Sequence, residues 1–545
     1  MRARIAALAL AAAFLVSCNP LLNGTLPGGI PGSAFVQHVP YSGSFSYTVD
    51  PGATPRDVYF VFTNPSLSQD AASIPTVSGS ISVNGRSIPA PAPQPLASGN
   101  GSPGNVTDRI AEFNRNPRAF LPAPSASARP SAQTVSPAGS DTVGTVATFY
   151  TSIDTSESLT ATCQEVVGPV TFADGRVRTL SIWVDNADAG DVTADTISSL
   201  ADRFLLGAGT ADIYHWDTAV AGEPWGPHND SNLVAWDANR TVTILLTHLN
   251  SGYGPGSVIV GYFWAKDNFT SAQFSGSNQR IMFYIDSHEY AANENVVYST
   301  LAHEFQHMIQ FYQKQVLRGA STGTDTWINE MCSMLMEDLV ADNLEVEGPR
   351  GVTPWSDGSA GGSGNTNGRF PQFNQSSNTS LAVTSTGAGF GLTQYAVAYA
   401  FGSWLIRNYG GPGLLTRIVQ CPQTDSTAVV NAATAWSGTT ETMQSLLQRW
   451  AAAVLLSDRT SAPFGYRYNA GGWTSFSVGG QTFNLGSINV FNYSPTLTPY
   501  SSSVPIPAVP YYSSNVYFKA ATALSAPATF TLALPAGTVM SVVLK

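Results

Sequence analysis

His303-Glu304-Phe305-Gln306-His307 lies inside an apolar run at residues 296–309, which contains no proline and predicts a largely buried α-helix. Residues four positions apart lie on one helix face, so His303 and His307 can present their imidazoles to one metal ion. Glu304 lies beside them, where it can take a proton from an attacking water. The H-E-x-x-H pattern is short enough to occur by chance, with both histidines as ordinary core residues. The uninterrupted apolar context favours a zinc site.

A second predicted helix supplies a candidate for the third ligand. A catalytic zinc ion takes three protein ligands, and no histidine follows His307 in the chain. A carboxylate is therefore expected, and residues 327–338 form an amphipathic segment with Asp325 or Thr326 as its N-cap. Glu330 on this segment follows His307 by enough residues for the chain to reverse its direction. We predict Glu330 as the third zinc ligand.

Three other polar residues of this segment are candidates for supporting roles. Glu337 lies two helical turns after Glu330 on the same face. It is either an alternative ligand or an outer acid that holds a ligand imidazole through its other ring nitrogen. Asp338 and Asn329 are weaker candidates for that outer position, and a solvated acid at a helix end would equally explain Asp338.

The two motifs together resemble a known family. H-E-F-Q-H, followed by W-I-N-E at residues 327–330, resembles the glutamate-zincin peptidases and is most similar to the hyicolysin family of secreted bacterial metallopeptidases. The resemblance covers about residues 179–450 and is strongest at 302–309 and 327–333. It implies an α+β zincin-like metallopeptidase fold, in which a mixed sheet lies above active-site helices. It also implies a zinc-dependent endopeptidase that hydrolyses extracellular proteins or peptides.

Carried over by position, the resemblance implies a role for each motif residue. The implied zinc ligands are His303, His307 and Glu330. Glu304 is the implied general base. Thermolysin-like sites often place an aspartate one helical turn after the ligand glutamate, but this chain has Met334 there. The departure makes Glu337 the expected substitute in the outer shell.

Peptidases of this class also often use a tyrosine hydroxyl to stabilise the oxyanion. A predicted helix at residues 392–409 carries Tyr395 and Tyr399 on one face, and either could play that part. Core packing is the simpler explanation for both. An edge strand of the sheet could bind an extended substrate by main-chain hydrogen bonds, and residues 261–264 are our candidate for that edge.

Composition and patterning along the chain predict several domains and segments. The zinc metallopeptidase domain is expected at residues 142–460, with strands at 179–184, 241–246 and 280–285 and a helix at 192–206. β-Sandwich-like accessory modules are predicted on both sides, at residues 41–86 and 461–545. Residues 87–141 are rich in Pro, Ser and Ala and predict a linker, or part of a removable propeptide.

The start of the chain has the pattern of a bacterial lipoprotein signal. A short basic stretch and about twelve apolar residues end in Leu15-Val16-Ser17-Cys18, which resembles a lipobox. We predict that residues 1–17 are a signal peptide, that Cys18 carries lipid, and that residues 18–40 tether the protein to a membrane. This would place the protein in the bacterial cell envelope. The alternative is an ordinary secretory signal, which would give a secreted protein.

Charge and cysteine content exclude two classes of protein. Charged residues make up 11% of the chain, against about a quarter in typical proteins, which suits a secreted, β-rich protein. The net charge of −11 is spread out without a basic block, which argues against a nucleic-acid partner. Besides Cys18 the chain has Cys163, Cys332 and Cys421. This odd number excludes a full disulfide framework.

Other ligands and functions stay open. Asp185, Asp188 and Asp191 alternate in a Gly-containing loop, which could bind Ca²⁺ or could serve only as turns and caps. The chain could also be a catalytically inactive surface adhesin or binding lipoprotein on a peptidase scaffold. A purely structural zinc site would need a fourth protein ligand, for which Glu337 is a poor candidate.

Overall fold

The computed structural model of the chain describes these residues: 24–25, 35–39, 43–67, 80–87, 106–121, 141–206, 211–236, 240–250, 259–352, 365–382, 391–501 and 510–545. The predicted signal peptide and Cys18 lie outside the described residues, as does most of the predicted tether. Among the described residues, no helix is both long and apolar enough to cross a membrane.

The strands of the described residues are short to medium in length and fall in three stretches of the chain. They are β1 (Gly24–Thr25), β2 (Phe35–Val39), β3 (Gly43–Val49), β4 (Arg56–Asn64), β5 (Ser82–Val83), β6 (Arg86–Ser87), β7 (Val146–Tyr150), β8 (Ser158–Thr171), β9 (Val177–Asp185), β10 (Thr241–Thr247), β11 (Gly261–Phe263), β12 (Ile281–Asp286), β13 (Trp473–Val478), β14 (Gln481–Gly486), β15 (Ser514–Leu524), β16 (Ala528–Leu534) and β17 (Val539–Leu544).

The helices lie mostly in the middle of the chain. They are α1 (Val106–Arg115), α2 (Ala194–Phe204), α3 (Ile213–Ala221), α4 (Ser287–Ala292), α5 (Glu294–Phe311), α6 (Thr326–Leu344), α7 (Phe370–Gln375), α8 (Leu392–Asn408), α9 (Pro412–Val419), α10 (Ser426–Ser437) and α11 (Met443–Leu455). A 3₁₀ turn at Pro117–Phe120 follows α1, and a π-helical turn at Tyr312–Val316 follows α5.

A mixed six-stranded sheet forms the centre of the fold, in the order β11-β12-β10-β9-β8-β7. β9, β10 and β12 are parallel, whereas β11 pairs antiparallel with β12 and lies at the edge. Every residue of β10 and β12 is buried, as expected for strands covered on both faces, and this explains their continuous apolar sequence. The predicted strands at 179–184, 241–246 and 280–285 are therefore confirmed.

The two ends of the chain build two further sheets together. Their strand orders are β1-β3-β16-β5-β6 and β15-β4-β17-β2. β3 pairs with β16, and β4 lies between β15 and β17, so each sheet contains strands from both ends of the chain. The sheets face each other, with Phe60 of β4 packed edge-on against Phe530 of β16 at 5.0 Å. Our division into separate modules at 41–86 and 461–545 was wrong, because alternation predicts a strand but not its partner.

Two segments of biased composition, rich in Pro, Gly or Ser, contain helices. Within the predicted linker at 87–141, α1 is amphipathic and buries Ile110 and Phe113. Between residues 356 and 391, α7 buries Phe370 and Phe373 completely. Neither helix was predicted from the sequence, because both lie in Pro-, Gly- or Ser-rich surroundings. A short helix with two buried aromatic or aliphatic side chains changes the local composition very little.

Close contact between α6 and α8 depends on Gly402. A Cβ atom at this position would lie 2.6 Å from Met331 Cγ, which is inside van der Waals contact. We therefore expect Gly402→Ala to lower the free energy of unfolding by about 1–3 kcal/mol through overpacking. Gly413→Ala in α9 is the matched control, since no atom lies within 4 Å of its added Cβ. Chemical denaturation measures both, and a Gly402→Ala chain as stable as the parent would contradict this packing.

Candidate metal centre

Helix α5 carries the H-E-x-x-H motif. The Asn293 side chain accepts a hydrogen bond from the Val296 N–H and caps the helix start. Leu301 and Phe305 are fully buried, because α5 packs against α6 on one side and against β11 and β12 on another. The predicted helix at 296–309 is confirmed, with a few more residues at both ends.

Helix α6 runs antiparallel to α5, as two side-chain contacts show. Ser333 Oγ lies 3.1 Å from His307 Nδ1, and Glu337 Oε1 lies 2.7 Å from His303 Nδ1. Later residues of α6 thus meet earlier residues of α5. Asp325 occupies the N-cap position of α6, as predicted, but its side chain makes no capping hydrogen bond.

Three side-chain atoms converge between the two helices. Glu330 Oε2 lies 3.2 Å from His303 Nε2 and 3.6 Å from His307 Nε2. Two ligand atoms bound to one tetrahedral zinc ion at about 2.0–2.1 Å are about 3.3 Å apart. The donor set of two imidazoles and a carboxylate therefore fits zinc in chemistry, and both distances from the carboxylate oxygen agree with this spacing.

Glu304 lies in the same cluster but has a different environment. Its ligand atoms and those of His303 and His307 lie within 4.8 Å of one another. Its Oε2 accepts a hydrogen bond of 2.9 Å from the Phe263 N–H, which ties the carboxyl group to the edge strand β11. Because Glu330 bridges both Nε2 atoms, we propose Glu330 as the ligand and Glu304 as the base.

A hydrogen bond from outside the cluster orients the His303 imidazole. Glu337 accepts from His303 Nδ1 and, at 2.6 Å, from Ser299 Oγ, so that His303 Nε2 faces the cluster. Asp338 instead forms a buried ion pair of 2.9 Å with Arg407, away from the cluster. Asn329 lines the cleft beside the cluster. Of the three supporting candidates, Glu337 is thus the one that contacts a motif histidine.

Ionisation in the cluster reflects burial and mutual charge. Burial raises the pKa of Glu330, but the His307 charge and the His303 hydrogen bond outweigh it and hold that pKa well below its ordinary value. Burial lowers the pKa of His303, but hydrogen bonds with Glu330 and Glu337 outweigh it and hold that pKa well above its ordinary value. Burial also raises the pKa of Glu304. The surroundings of His303 in the metal-free cluster therefore favour its protonated form.

Zinc binding should consequently compete with protons. Because His303 must lose its ring proton on the ligand nitrogen, we expect zinc binding near neutral pH to release at least one proton. Zinc affinity should fall as the pH falls below the raised pKa of His303, by up to about tenfold per pH unit for each proton displaced. Titration calorimetry in two buffers with different ionisation enthalpies measures this release. Identical binding heats in both buffers would contradict it.

Glu337 allows a separate prediction about metal affinity. Glu337→Gln keeps the size of the side chain but removes the charge that supports His303, so zinc affinity should fall about 10- to 100-fold. Glu345→Gln is the matched control, since Glu345 is an exposed glutamate just after the same helix. Competition with a chromogenic chelator measures both affinities. Equal affinities for the two variants would show that Glu337 does not support the metal site.

The two candidate tyrosines lie in different places. Tyr395 lines the cleft and hydrogen-bonds with Glu330, and burial raises its pKa well above the ordinary value. Tyr399 is fully buried, and its ring packs edge-on against Phe370 at 5.7 Å, outside the cleft lining. Tyr395 alone of the pair is therefore placed to reach a ligand in the cleft, whereas Tyr399 is a core residue.

The predicted calcium loop forms only part of a second cluster. Ligand atoms of Asp188, Asp191 and His288 lie within 4.8 Å of one another. Asp185 instead accepts hydrogen bonds from the Ala187 N–H and from Thr247 Oγ1, as turn residues do. Ca²⁺ prefers oxygen ligands, so an imidazole in this set does not support the calcium prediction.

One wall of the cleft comes from a segment that sequence reasoning missed. Ile110, Asn114 and Arg115 of α1 line the same cleft as His303 and Glu330. The space open to the centre of a water molecule is about 120 Å³, below the roughly 300–1,000 Å³ typical of small-ligand sites. The amphipathic spacing of Ile110 and Phe113 was the available signal for this helix.

Two imidazoles and a carboxylate on paired helices, with a second carboxylate at the cleft, define the kind of metal centre that H-E-x-x-H metallopeptidases use. Residues 160–545 match the Peptidase M30 family, and the chain belongs to that family. This confirms the resemblance to the hyicolysins, and the match crosses the domain boundary that we predicted at residue 460.

A curated relative supports the same assignment. The Neutral metalloprotease ShpI of Staphylococcus hyicus is 28% identical over 209 residues, which are 36% of this chain and 42% of the relative. The chain thus matches less than half the length of that relative.

Proposed function

We propose that this protein is a zinc-dependent metalloendopeptidase that hydrolyses proteins or peptides outside the cytoplasm. The observation that carries the proposal is the convergence of Glu330 Oε2 on the Nε2 atoms of His303 and His307, at 3.2 and 3.6 Å. Glu304 lies at the same cleft and is bonded to the edge strand. Family membership supports the same conclusion.

Each side chain at the cleft would have a separate role in the reaction. A bound zinc ion supplies Lewis-acid chemistry and lowers the pKa of water. Glu304 accepts a proton from the water that attacks the peptide carbonyl and later delivers it to the leaving amine. Burial raises the pKa of Glu304, which makes it a stronger base than an exposed glutamate. Tyr395 would donate a hydrogen bond to the developing oxyanion.

Two competing functions have less support. A structural zinc site needs a fourth protein ligand, but both carboxylate oxygens of Glu337 already accept hydrogen bonds, from His303 and Ser299. A catalytically inactive binding lipoprotein would have no use for Glu304 at the cleft. The retained base and ligands therefore favour an enzyme.

Membrane attachment through Cys18 stays a separate proposal. Its support is the lipobox-like sequence alone. Labelling of expressing cells with a radioactive fatty acid tests it, with Cys18→Ala as the control. Equal label in both chains, or none in the parent, would contradict the anchor and favour a secreted protein.

Peptide hydrolysis tests the enzymatic proposal. We expect cleavage of peptides whose two termini are chemically blocked, since an endopeptidase needs no free terminus. A chelator should abolish cleavage and added zinc should restore it. Mass spectrometry of the products identifies internal cuts. Removal of single residues from unblocked peptides only would indicate an exopeptidase, and persistent cleavage in chelator would contradict a metal-dependent enzyme.

A further inference from the structure

The segment at residues 106–121 is packed firmly onto the rim of the cleft. Phe113 is fully buried, with its ring 5.0 Å from Phe274 and 6.2 Å from Trp264. Arg115 forms an ion pair of 2.9 Å with Asp325 at the start of α6. The main-chain carbonyl of Arg115 accepts a hydrogen bond from the Gly323 N–H. The segment thus spans from the edge of the sheet to the ligand helix.

Asn114 is bonded to the last residue of β11 and to the 3₁₀ turn at Ala265–Asn268 that follows the strand. Its Nδ2 donates to the Phe263 carbonyl at 2.7 Å, and its Oδ1 accepts from the Ala265 N–H at 2.8 Å. In a parallel sheet, one residue of the neighbouring strand forms hydrogen bonds with the same two groups, namely a carbonyl and the N–H two residues further along the chain. The carboxamide of Asn114 therefore takes the place of the main-chain N–H and carbonyl of one such residue.

The same edge would receive a substrate. Among the described strands, β11 pairs only with β12, and the Phe263 N–H bonds the proposed base Glu304. An extended peptide that pairs with this edge would lie beside Glu304 and the zinc ligands. It would need the Phe263 carbonyl and the Ala265 N–H, which Asn114 holds.

We propose that the 106–121 segment is an autoinhibitory element, in which Asn114 competes with the main chain of a peptide substrate for the edge of β11. This inference rests on the proposed peptidase function. The segment must leave the edge before an extended peptide can bind there. Only chains with a free edge are then competent to bind, so the apparent KM equals the intrinsic KM divided by the fraction of chains whose edge is open.

Variants of this segment separate inhibition from a permanent structural role. Asn114→Ala removes both bonds to the edge, so KM for a blocked fluorogenic peptide should fall about tenfold while kcat stays unchanged. Asn114→Asp keeps the size but cannot donate to the Phe263 carbonyl, and should act in the same direction. Arg118→Ala is the matched control, because its exposed ion pair with Asp230 lies on the same segment.

Each outcome of these measurements decides between the possibilities. A higher KM in the Asn114 variants would show that Asn114 helps to bind substrate. Unchanged kinetics with a lower melting temperature would show that Asn114 has a structural role. Either result would overturn this inference and leave the proposed function intact. If the parent chain is inactive and its Asn114 variants hydrolyse the peptide, the autoinhibitory role is supported. If the parent and all variants bind zinc but hydrolyse nothing, the proposed function fails and the inference fails with it.

Discussion

Glu304→Gln is expected to lower kcat/KM for peptide hydrolysis by about 10²- to 10⁴-fold, the usual contribution of a general base. Glutamine keeps the shape of the side chain and can still accept the hydrogen bond from the Phe263 N–H. It cannot take a proton from water. The buried neutral amide also avoids the cost that burial adds to the ionised carboxyl group, so the chain should fold normally.

Zinc content distinguishes this effect from loss of the site. Glu304→Gln should bind one zinc ion per chain, as the parent should, because Glu330 and the histidines remain. Glu294→Gln is the matched control, since Glu294 is exposed at the start of the same helix. Hydrolysis at the parental rate by Glu304→Gln would remove Glu304 from the mechanism. Loss of zinc from that variant would instead show that Glu304 is a ligand.

Glu330→Ala is expected to have the second large effect. Replacement of outer partners alone typically lowers metal affinity 10- to 100-fold, so loss of a ligand should lower zinc affinity by at least about 100-fold. Peptide hydrolysis should disappear with the metal. In the metal-free chain, Glu330 also compensates the charges of His303 and His307, so the variant leaves two buried imidazoles without their shared acceptor.

The pH dependence of the metal-free chains gives an independent check. The pKa of Glu330 is lower in the folded chain than in the unfolded one, so the carboxylate stabilises the fold above its unfolded pKa of about 4.3. That contribution is lost as the pH falls from there toward the depressed folded value. Glu330→Ala should therefore flatten the acid limb of the stability curve. An unchanged acid limb would show that Glu330 carries no favourable charge interaction in the fold.

The clustering of the motif side chains was predictable because their geometry follows from local periodicity. Residues four apart in α5 share a face, and seven residues from Glu330 to Glu337 are two turns of α6. These rules place His303, His307 and Glu337 without knowledge of the rest of the fold. The contact of Ser333 with His307 depends on the register between the two antiparallel helices, which the sequence did not specify.

Long-range pairing was not predictable in the same way. β3 and β16 are separated by most of the chain, and their alternating patterns would suit many partners. Asn114 is also far from β11 in sequence, 149 residues from Phe263, and a single carboxamide in a Pro- and Ser-rich stretch carries no signal of a strand-like contact. Tyr395 and Tyr399 share a predicted face, yet only the packing of α8 against α6 and α7 separates their environments.

Anomalous diffraction at the zinc absorption edge tests the central claim most directly. Crystals of the parent chain should show one strong peak at the cluster, within about 2.0–2.2 Å of His303 Nε2, His307 Nε2 and a Glu330 carboxylate oxygen, with no fourth protein ligand. A peak that includes Glu337 as a fourth ligand would contradict a catalytic centre. Absence of zinc from crystals grown with zinc present would contradict the metal site itself.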